Sequence, residues 1–271
     1  MPFKKIMKFL LILLILLILL YFKKVLSTFG SMNNGAIVIM ACHIKKNIGL
    51  SVIQNNINFL NQSDKIKKIL LVYSADEDTE IDFSPLQYGI PVEIIHDTKN
   101  VYYDFDKYKM GYSYIKEKDL PFDWVFVMND SVIICESVTW IIDRIITSNK
   151  DFYGILEVNE RIFNIPPKVH YQSWWLCFRK NSIEFWINNL NFTPKHKNIK
   201  HIINDFEISL SNKMITTFQS DTIFSSADVL GNLFSMDSLY YDYFYNKNFK
   251  FVKLKHFHPE LVPTHLKFLK V

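Results

Sequence analysis

Apolar and polar positions along the chain form blocks that predict strands and helices in turn. Short runs of β-forming apolar residues predict strands at 36–41, 69–73, 92–95, 124–128, 152–156 and 171–178. Apolar residues at helical spacing predict helices near 50–60, 107–117, 138–145, 181–190 and 202–214. Because strands and helices alternate through the first half, we expect an α/β fold with a mostly parallel sheet flanked by helices.

The first thirty residues differ from the rest of the chain. Residues 9–22 carry no polar side chain except the Tyr21 hydroxyl, and lysines flank the run on both sides. With the neighbouring apolar residues the run approaches the roughly 20 residues that a bilayer-crossing helix needs. A cleaved signal peptide has a similar apolar core, but Lys23 and Lys24 and the lack of a small-residue cleavage site favour a retained transmembrane helix.

This interpretation divides the chain into three parts. Residues 1–26 form a cytosolic tip and membrane anchor, 27–35 a short stem, and 36–271 a globular domain. The slight excess of lysine before the apolar run predicts a single-pass membrane protein with its N-terminus in the cytosol and its globular domain luminal or exterior.

The net charge of +4 comes from the anchor, since residues 1–30 hold five lysines and no acid. The remainder has 26 basic and 27 acidic residues. A near-neutral domain argues against nucleic acid as a partner. The three cysteines stand in apolar segments without metal-site spacing, so we expect buried thiols with at most one disulfide.

The apolar run 124–128 stops abruptly at Asn129-Asp130-Ser131. In open α/β sheets ligands bind at the carboxyl ends of the strands. A carboxylate in this position can hold a divalent cation, which in turn can hold a diphosphate. The alternative is a strand that simply ends in an Asn-Asp turn.

Two further acids stand in informative positions. Asp104 lies between the third strand and a helix, where it could accept hydrogen bonds from a base or ribose, or cap the helix. Glu207 lies within an apolar helical stripe formed by Ile203, Phe206, Leu210 and Met214. Because a buried carboxylate is costly unless paired or used, Glu207 is either a general base for an acceptor hydroxyl or half of a core ion pair.

Three polar residues, His170, Gln172 and Ser173, open a predicted strand and could face a site or pair with backbone atoms. His258, in His256-Phe257-His258, could complete a metal shell with Asp130. An isolated His-x-His is more often without a metal.

A series of short motifs runs from Asn100 to Lys270. The motifs are Asn100…Tyr103-Asp104-Phe105…Tyr108-Lys109…Gly111, Asn129-Asp130-Ser131-Val132, Phe152-Tyr153-Gly154, His170 with Gln172-Ser173, Phe178-Arg179-Lys180, Phe206-Glu207-Ile208-Ser209-Leu210, Pro259 and Phe268-Leu269-Lys270. Because these motifs occur in this order and at this spacing, the chain resembles the rhamnan synthesis F family of glycosyltransferases.

The resemblance implies a GT-A-like domain over 36–271 that transfers a sugar, possibly rhamnose, from a nucleotide-sugar donor to a glycan acceptor hydroxyl, with Mg2+ or Mn2+ as cofactor. By this resemblance Asn100 and Asp104 contact the donor nucleoside, and Asp130 with Asn129 occupies the metal–diphosphate position. Glu207 and the group His170, Gln172 and Ser173 line the acceptor side.

The chain departs from the family at Tyr102 and Asp106, where the family usually has glycines that let the backbone approach a nucleotide. Asn129-Asp130 also lacks a second aspartate. Tyr102 and Asp106 at the glycine positions favour an alternative, a catalytically degenerate member that binds glycans or partners without transfer. A third possibility, a hydrolase with paired carboxylates, lacks a convincing second acid.

Overall fold

The computed structural model describes residues 34–44, 50–76, 81–159, 168–225 and 251–253. The strands are β1 Ala36–Ile44, β2 Ile66–Ala75, β3 Val92–His96, β4 Trp124–Asn129, β5 Val132–Ile134, β6 Phe152–Val158, β7 His170–Tyr171, β8 Trp175–Phe178, β9 Ser220–Ser225 and β10 Phe251–Lys253. The helices are α1 Ser51–Leu60, α2 Tyr103–Glu117, α3 Thr139–Thr147, α4 Lys180–Asn188, α5 Ile199–Ile202 and α6 Leu210–Thr217, with a 3-10 turn at Pro194–Lys197 and a π-helical segment at Ile203–Ser209 between α5 and α6.

The main sheet is mixed, with strand order β3-β2-β1-β4-β8-β6-β7 and β9 beside β6. The first four strands pair in parallel, as predicted. The second half of the sheet is mixed: β8 is antiparallel to both β4 and β6, and β7 is antiparallel to β6, whereas β9 is parallel to β6. The expected strand 171–178 is two strands, β7 and β8, separated by residues 172–174.

Helices cover both faces of the sheet. On one face α1 and α3 pack against the side chains of Val38, Met40 and Phe126. On the other face α2, α4 and α6 pack against Ile37, Ile39 and Val127. Strands β1 and β4 are thus buried on both sides, which explains their almost continuous apolar sequence.

One glycine allows α2 to lie close to β1. A Cβ atom added at Gly111 would stand 2.5 Å from Cγ2 of Ile39. The close approach matters because the first turn of the same helix carries Asp104 to the edge of the sheet.

Several sequence predictions concern residues outside the described ranges. The proposed anchor 1–26, most of the stem and His258 all fall there. Among the residues that are described, no helix has the length and apolar character needed to span a bilayer. The three cysteines are described, and all are buried as predicted.

Candidate functional site

Polar side chains collect where the parallel strands end. The chain passes from β1 to β2 and β3 on one side and returns as β4 on the other side of β1. This reversal of strand order creates a crevice at the carboxyl ends of β1 and β4, the position where open α/β sheets bind ligands. His43 lies near the end of β1, and Asn129 is the last residue of β4.

Asp130 is fixed at this crevice by backbone contacts. Its Oδ2 accepts a hydrogen bond from the His43 backbone N–H at 2.8 Å, and its own N–H donates to the Ala41 carbonyl at 3.1 Å. Asn129 Oδ1 accepts from the Ser131 N–H at 3.2 Å, so the Asn-Asp turn considered above is present. The turn leaves Asp130 Oδ1 without a hydrogen-bond partner among the described residues, and therefore available to a ligand.

Asp104 lies beside the same strand end. Its Oδ2 accepts a hydrogen bond from Asn129 Nδ2 at 2.7 Å. The alternative role as a helix cap is not observed, because no described side chain makes a capping hydrogen bond at the N-terminus of α2. Asn129 therefore orients Asp104 next to Asp130.

The acids influence one another electrostatically. Burial, and after it the charge of Asp104, raise the pKa of Asp130 to about 7, although the His43 N–H and Lys107 act to lower it. Burial also raises the pKa of Asp104; Lys107 and the Asn129 hydrogen bond lower it, and Glu207 raises it. Asp104 thus interacts with both of the other carboxylates predicted from separate motifs, Asp130 and Glu207.

Glu207 belongs to the π-helical segment Ile203–Ser209. It is half-buried and accepts a hydrogen bond from the Ser173 hydroxyl, while the Tyr108 hydroxyl donates to the Ser173 carbonyl at 3.2 Å. Within the described part of the chain Glu207 takes part in no ion pair, so the core-pair alternative is not observed. Short π-helical segments in proteins are often found at functional sites.

The structure separates the three residues expected on the acceptor side. Ser173 contacts Glu207, but His170 Nδ1 lies 2.7 Å from the Lys168 carbonyl, and Gln172 Oε1 accepts from Trp174 Nε1 at 2.5 Å. Tyr171 between them packs with the face that holds α2 and α6. Because side chains alternate along a strand, His170 and Gln172 point to the opposite face.

Two residues of the site were missed by the sequence analysis, His43 and Lys107. The Lys107 side chain is 0% exposed, and its Nζ donates to Asn100 Oδ1 at 2.7 Å and lies 3.9 Å from Asp97 Oδ2. Asn100 Nδ2 is 3.2 Å from His43 Nδ1, and His43 Nε2 is 3.3 Å from Asp76 Oδ1.

Asn100, expected to contact a nucleoside, thus holds Lys107 and His43 with the two ends of its amide. His43 could have been found by the rule that located Asp130, since it is a polar residue near the end of a buried strand. Lys107 gave no comparable signal, because a lysine in a helix is usually exposed.

Asp104 and Asp130 are the candidate ligands for a divalent cation at this site. Asp104 and Asp130 each keep one carboxylate oxygen without a hydrogen-bond partner in the described structure. No cluster of three or more His, Cys, Asp or Glu side chains is found among the described residues. Mg2+ is commonly held by one or two carboxylates together with substrate phosphates and water, and Asp104 and Asp130 are the residues that could hold such an ion.

Comparison with known proteins does not identify a family. No family model matches the chain. A relative from Sinorhizobium fredii, the uncharacterized protein y4gN, is 26% identical over 149 residues, which cover 51% of this chain and 36% of the relative. The chain therefore spans about a third of that relative's length.

Two solved structures show distant similarity. HddC from Yersinia pseudotuberculosis is 14% identical, with 70% of this chain and 90% of HddC covered and a TM-score of 0.43. A putative glucose-1-phosphate thymidylyltransferase from Bacillus anthracis, in complex with sucrose, is 10% identical, with 70% and 87% covered and a TM-score of 0.48. Similarity at this level assigns no function to the chain.

Proposed function

We propose that the chain is a glycosyltransferase that moves a sugar from a nucleotide-sugar donor to a hydroxyl of a glycan acceptor. The observation that supports this function is the convergence of Asp104, Asp130 and Glu207 at the crevice by the carboxyl ends of β1 and β4. Rhamnose as the sugar, and polysaccharide assembly as the setting, rest on the family resemblance. The proposed anchor would hold the domain at a membrane, on the luminal or exterior side.

On the donor side, Asp130 and Asp104 would hold Mg2+ or Mn2+ through their unpaired oxygens. The bound cation would neutralise charge on the departing diphosphate. Asn129 orients Asp104, and the His43 N–H fixes Asp130, so both carboxylates are held in place before a ligand binds.

On the acceptor side, Glu207 would act as the general base. The acceptor oxygen attacks the anomeric carbon, the bond from that carbon to the diphosphate oxygen breaks, and the hydroxyl proton passes to Glu207. A single displacement of this kind inverts the anomeric centre. The Ser173 hydroxyl holds the Glu207 carboxylate, and Tyr108 holds the Ser173 carbonyl.

The alternative is a degenerate member that binds without transferring. It is favoured by Tyr102 and Asp106, which replace the family's usual glycines, and by Asn100, whose amide is engaged within the protein. Such a protein would bind a glycan or a partner and show no metal-dependent affinity for nucleoside diphosphates.

The test is sugar transfer and donor hydrolysis by the purified 271-residue chain with a panel of nucleotide sugars and Mn2+. We expect Glu207→Gln to lower the rate by about 100-fold or more without changing nucleotide affinity, and Asp130→Ala to abolish metal-dependent binding. The exposed Glu117→Gln is the matched control. Unchanged activity in both site variants would refute the assignment of Asp130 and Glu207. A second measurement, thermal unfolding of the wild-type protein with nucleoside diphosphates and Mn2+, tests the alternative: no rise in melting temperature with any of them would favour a protein that binds without transferring.

A further inference from the structure

A second concave site lies outside the crevice, between the C-terminal end of α4 and the start of α6. We call it the α4–α6 groove; its volume is about 330 Å3, near the lower end of the range for small-molecule sites. Its lining includes Asn191, Lys195, Asp205, Phe206, Ser209 and Lys213. Asp104, Asp130 and Glu207 are not part of the lining, so the groove is distinct from the candidate active site.

A buried histidine joins the walls of the α4–α6 groove. The Thr193 N–H donates to His196 Nδ1 at 2.9 Å, so His196 is neutral and its proton is on Nε2. Nε2 donates to Asp205 Oδ2 at 3.1 Å, which ties the loop after α4 to the π-helical segment. Because these bonds hold both walls, a ligand would not have to order them.

The carboxylate of Asp205 is already engaged within the protein. Lys195 Nζ lies 2.6 Å from Asp205 Oδ2, the oxygen that also accepts from His196. Asn204 Nδ2 donates to the other oxygen, Oδ1, at 2.7 Å. The charges of Lys195 and Asp205 therefore offset each other, and the acid offers little to a ligand.

Lys213 carries the remaining charge of the groove. Its Nζ donates to Asn189 Oδ1 at 3.1 Å and lies 5.0 Å from the centroid of the Phe185 ring, and it forms no ion pair among the described residues. These contacts hold the ammonium group but use only one of its three N–H donors. With His196 neutral, two lysines and one acid give the lining a net charge of +1.

Two neutral side chains of the lining keep their hydrogen-bonding capacity. The Asn191 side-chain amide and the Ser209 hydroxyl form no hydrogen bond within the described part of the chain. Together with Lys213 they provide donors for an anion and partners for hydroxyl groups. Phe206, which is buried, adds an apolar part to the lining. A sugar ring matches this mixture, because hydroxyls stand at its edge and C–H groups on its faces.

We propose that the α4–α6 groove binds an acidic sugar, one that carries a carboxylate or a phosphate. The oxyanion accepts charge-assisted hydrogen bonds from Lys213 Nζ, and the ring hydroxyls bond to Asn191 and Ser209. The inference goes beyond the proposed function, because the groove contains none of the carboxylates assigned to sugar transfer and needs neither a donor nor a metal.

The test measures the affinity of the 271-residue chain for glucuronate, glucose 6-phosphate, glucose and inorganic phosphate by ligand-observed NMR. At least one acidic sugar should bind about tenfold more tightly than glucose and than inorganic phosphate. Lys213→Gln, which removes the charge but can still donate to Asn189, should weaken this binding by about fivefold or more, and Ser209→Ala by about threefold. Lys180→Gln removes an exposed lysine at the other end of α4; it is the matched control and should change nothing.

The same titrations with Glu207→Gln separate the groove from the crevice, and this variant should bind the acidic sugar as wild type does. The inference is overturned if neither acidic sugar binds, or if glucose or inorganic phosphate binds as tightly. Equal affinity in wild type and Lys213→Gln, or an equal loss in Lys180→Gln, also overturns it. A loss in Glu207→Gln alone would place the sugar in the crevice. Absence of sugar transfer would count against the proposed function and leave these affinities unaffected.

Discussion

The ionised carboxylate of Asp130 should destabilise the folded protein in the absence of a cation. Its pKa rises from 3.8 to about 7 on folding, chiefly by burial and then by repulsion from Asp104. The folded state therefore holds the proton more tightly than the unfolded state. Stability falls as pH rises from 3.8 to about 7, and the whole penalty is present above that pH.

The substitution Asp130→Asn removes the charge and keeps an oxygen that can accept the hydrogen bond from the His43 N–H. A rise from 3.8 to about 7 corresponds to about 4 kcal/mol as an upper limit. Water screens part of the repulsion at a half-buried side chain, so we expect Asp130→Asn to stabilise the metal-free protein by about 1–3 kcal/mol at pH 8. At pH 5 the advantage should be smaller than at pH 8, since a larger fraction of Asp130 is then protonated in the folded state.

Urea unfolding of wild type and Asp130→Asn in EDTA, at pH 8 and pH 5, gives the difference directly. The exposed Asp143→Asn is the control and should change stability by less than about 0.5 kcal/mol. An Asp130→Asn variant less stable than wild type at pH 8 would refute the reasoning. A stabilisation of equal size at both pH values would also refute it, because the gain would then come from something other than the charge.

Three further substitutions test other parts of the account. Lys107→Met should destabilise the protein by about 3–5 kcal/mol in urea unfolding, because removing the fully buried ammonium group leaves its buried partner Asp97 unpaired. A loss of stability under about 1 kcal/mol would contradict this. Gly111→Ala should cost about 1–3 kcal/mol by the same assay, since the added Cβ would stand 2.5 Å from Ile39; a stabilised variant would show that α2 can move away. Ser173→Ala should lower kcat with little change in donor KM, because it frees the Glu207 carboxylate without touching the donor side, and an effect on KM alone would place Ser173 with the donor.

The local pattern of the chain predicted most of the first half. Strands β1 to β4 and helices α1 to α3 appear where apolar runs and helical spacing placed them, because each burial pattern depends on a few neighbouring residues. Asp104 and Asp130 could be located for the same reason, since both follow the ends of predicted strands.

The remainder depends on contacts between distant residues, which periodicity does not report. The antiparallel pairing of β8 with β4 and the split between β7 and β8 were not predicted. The π-helical segment that carries Glu207 cannot be distinguished from an α-helix by apolar spacing alone. The buried Lys107 is acceptable only because Asn100, Asp97 and the Tyr103 carbonyl surround its ammonium group.

The most direct test of a single donor site is a titration of nucleoside diphosphates into the 271-residue chain with Mn2+ and with EDTA. We predict that at least one nucleoside diphosphate binds wild type only with Mn2+, and that Asp104→Asn and Asp130→Asn each weaken this binding more than about tenfold. Nucleoside diphosphate binding that is equally tight in Mn2+ and in EDTA, or that is unchanged by both substitutions, would contradict a donor site at these two carboxylates.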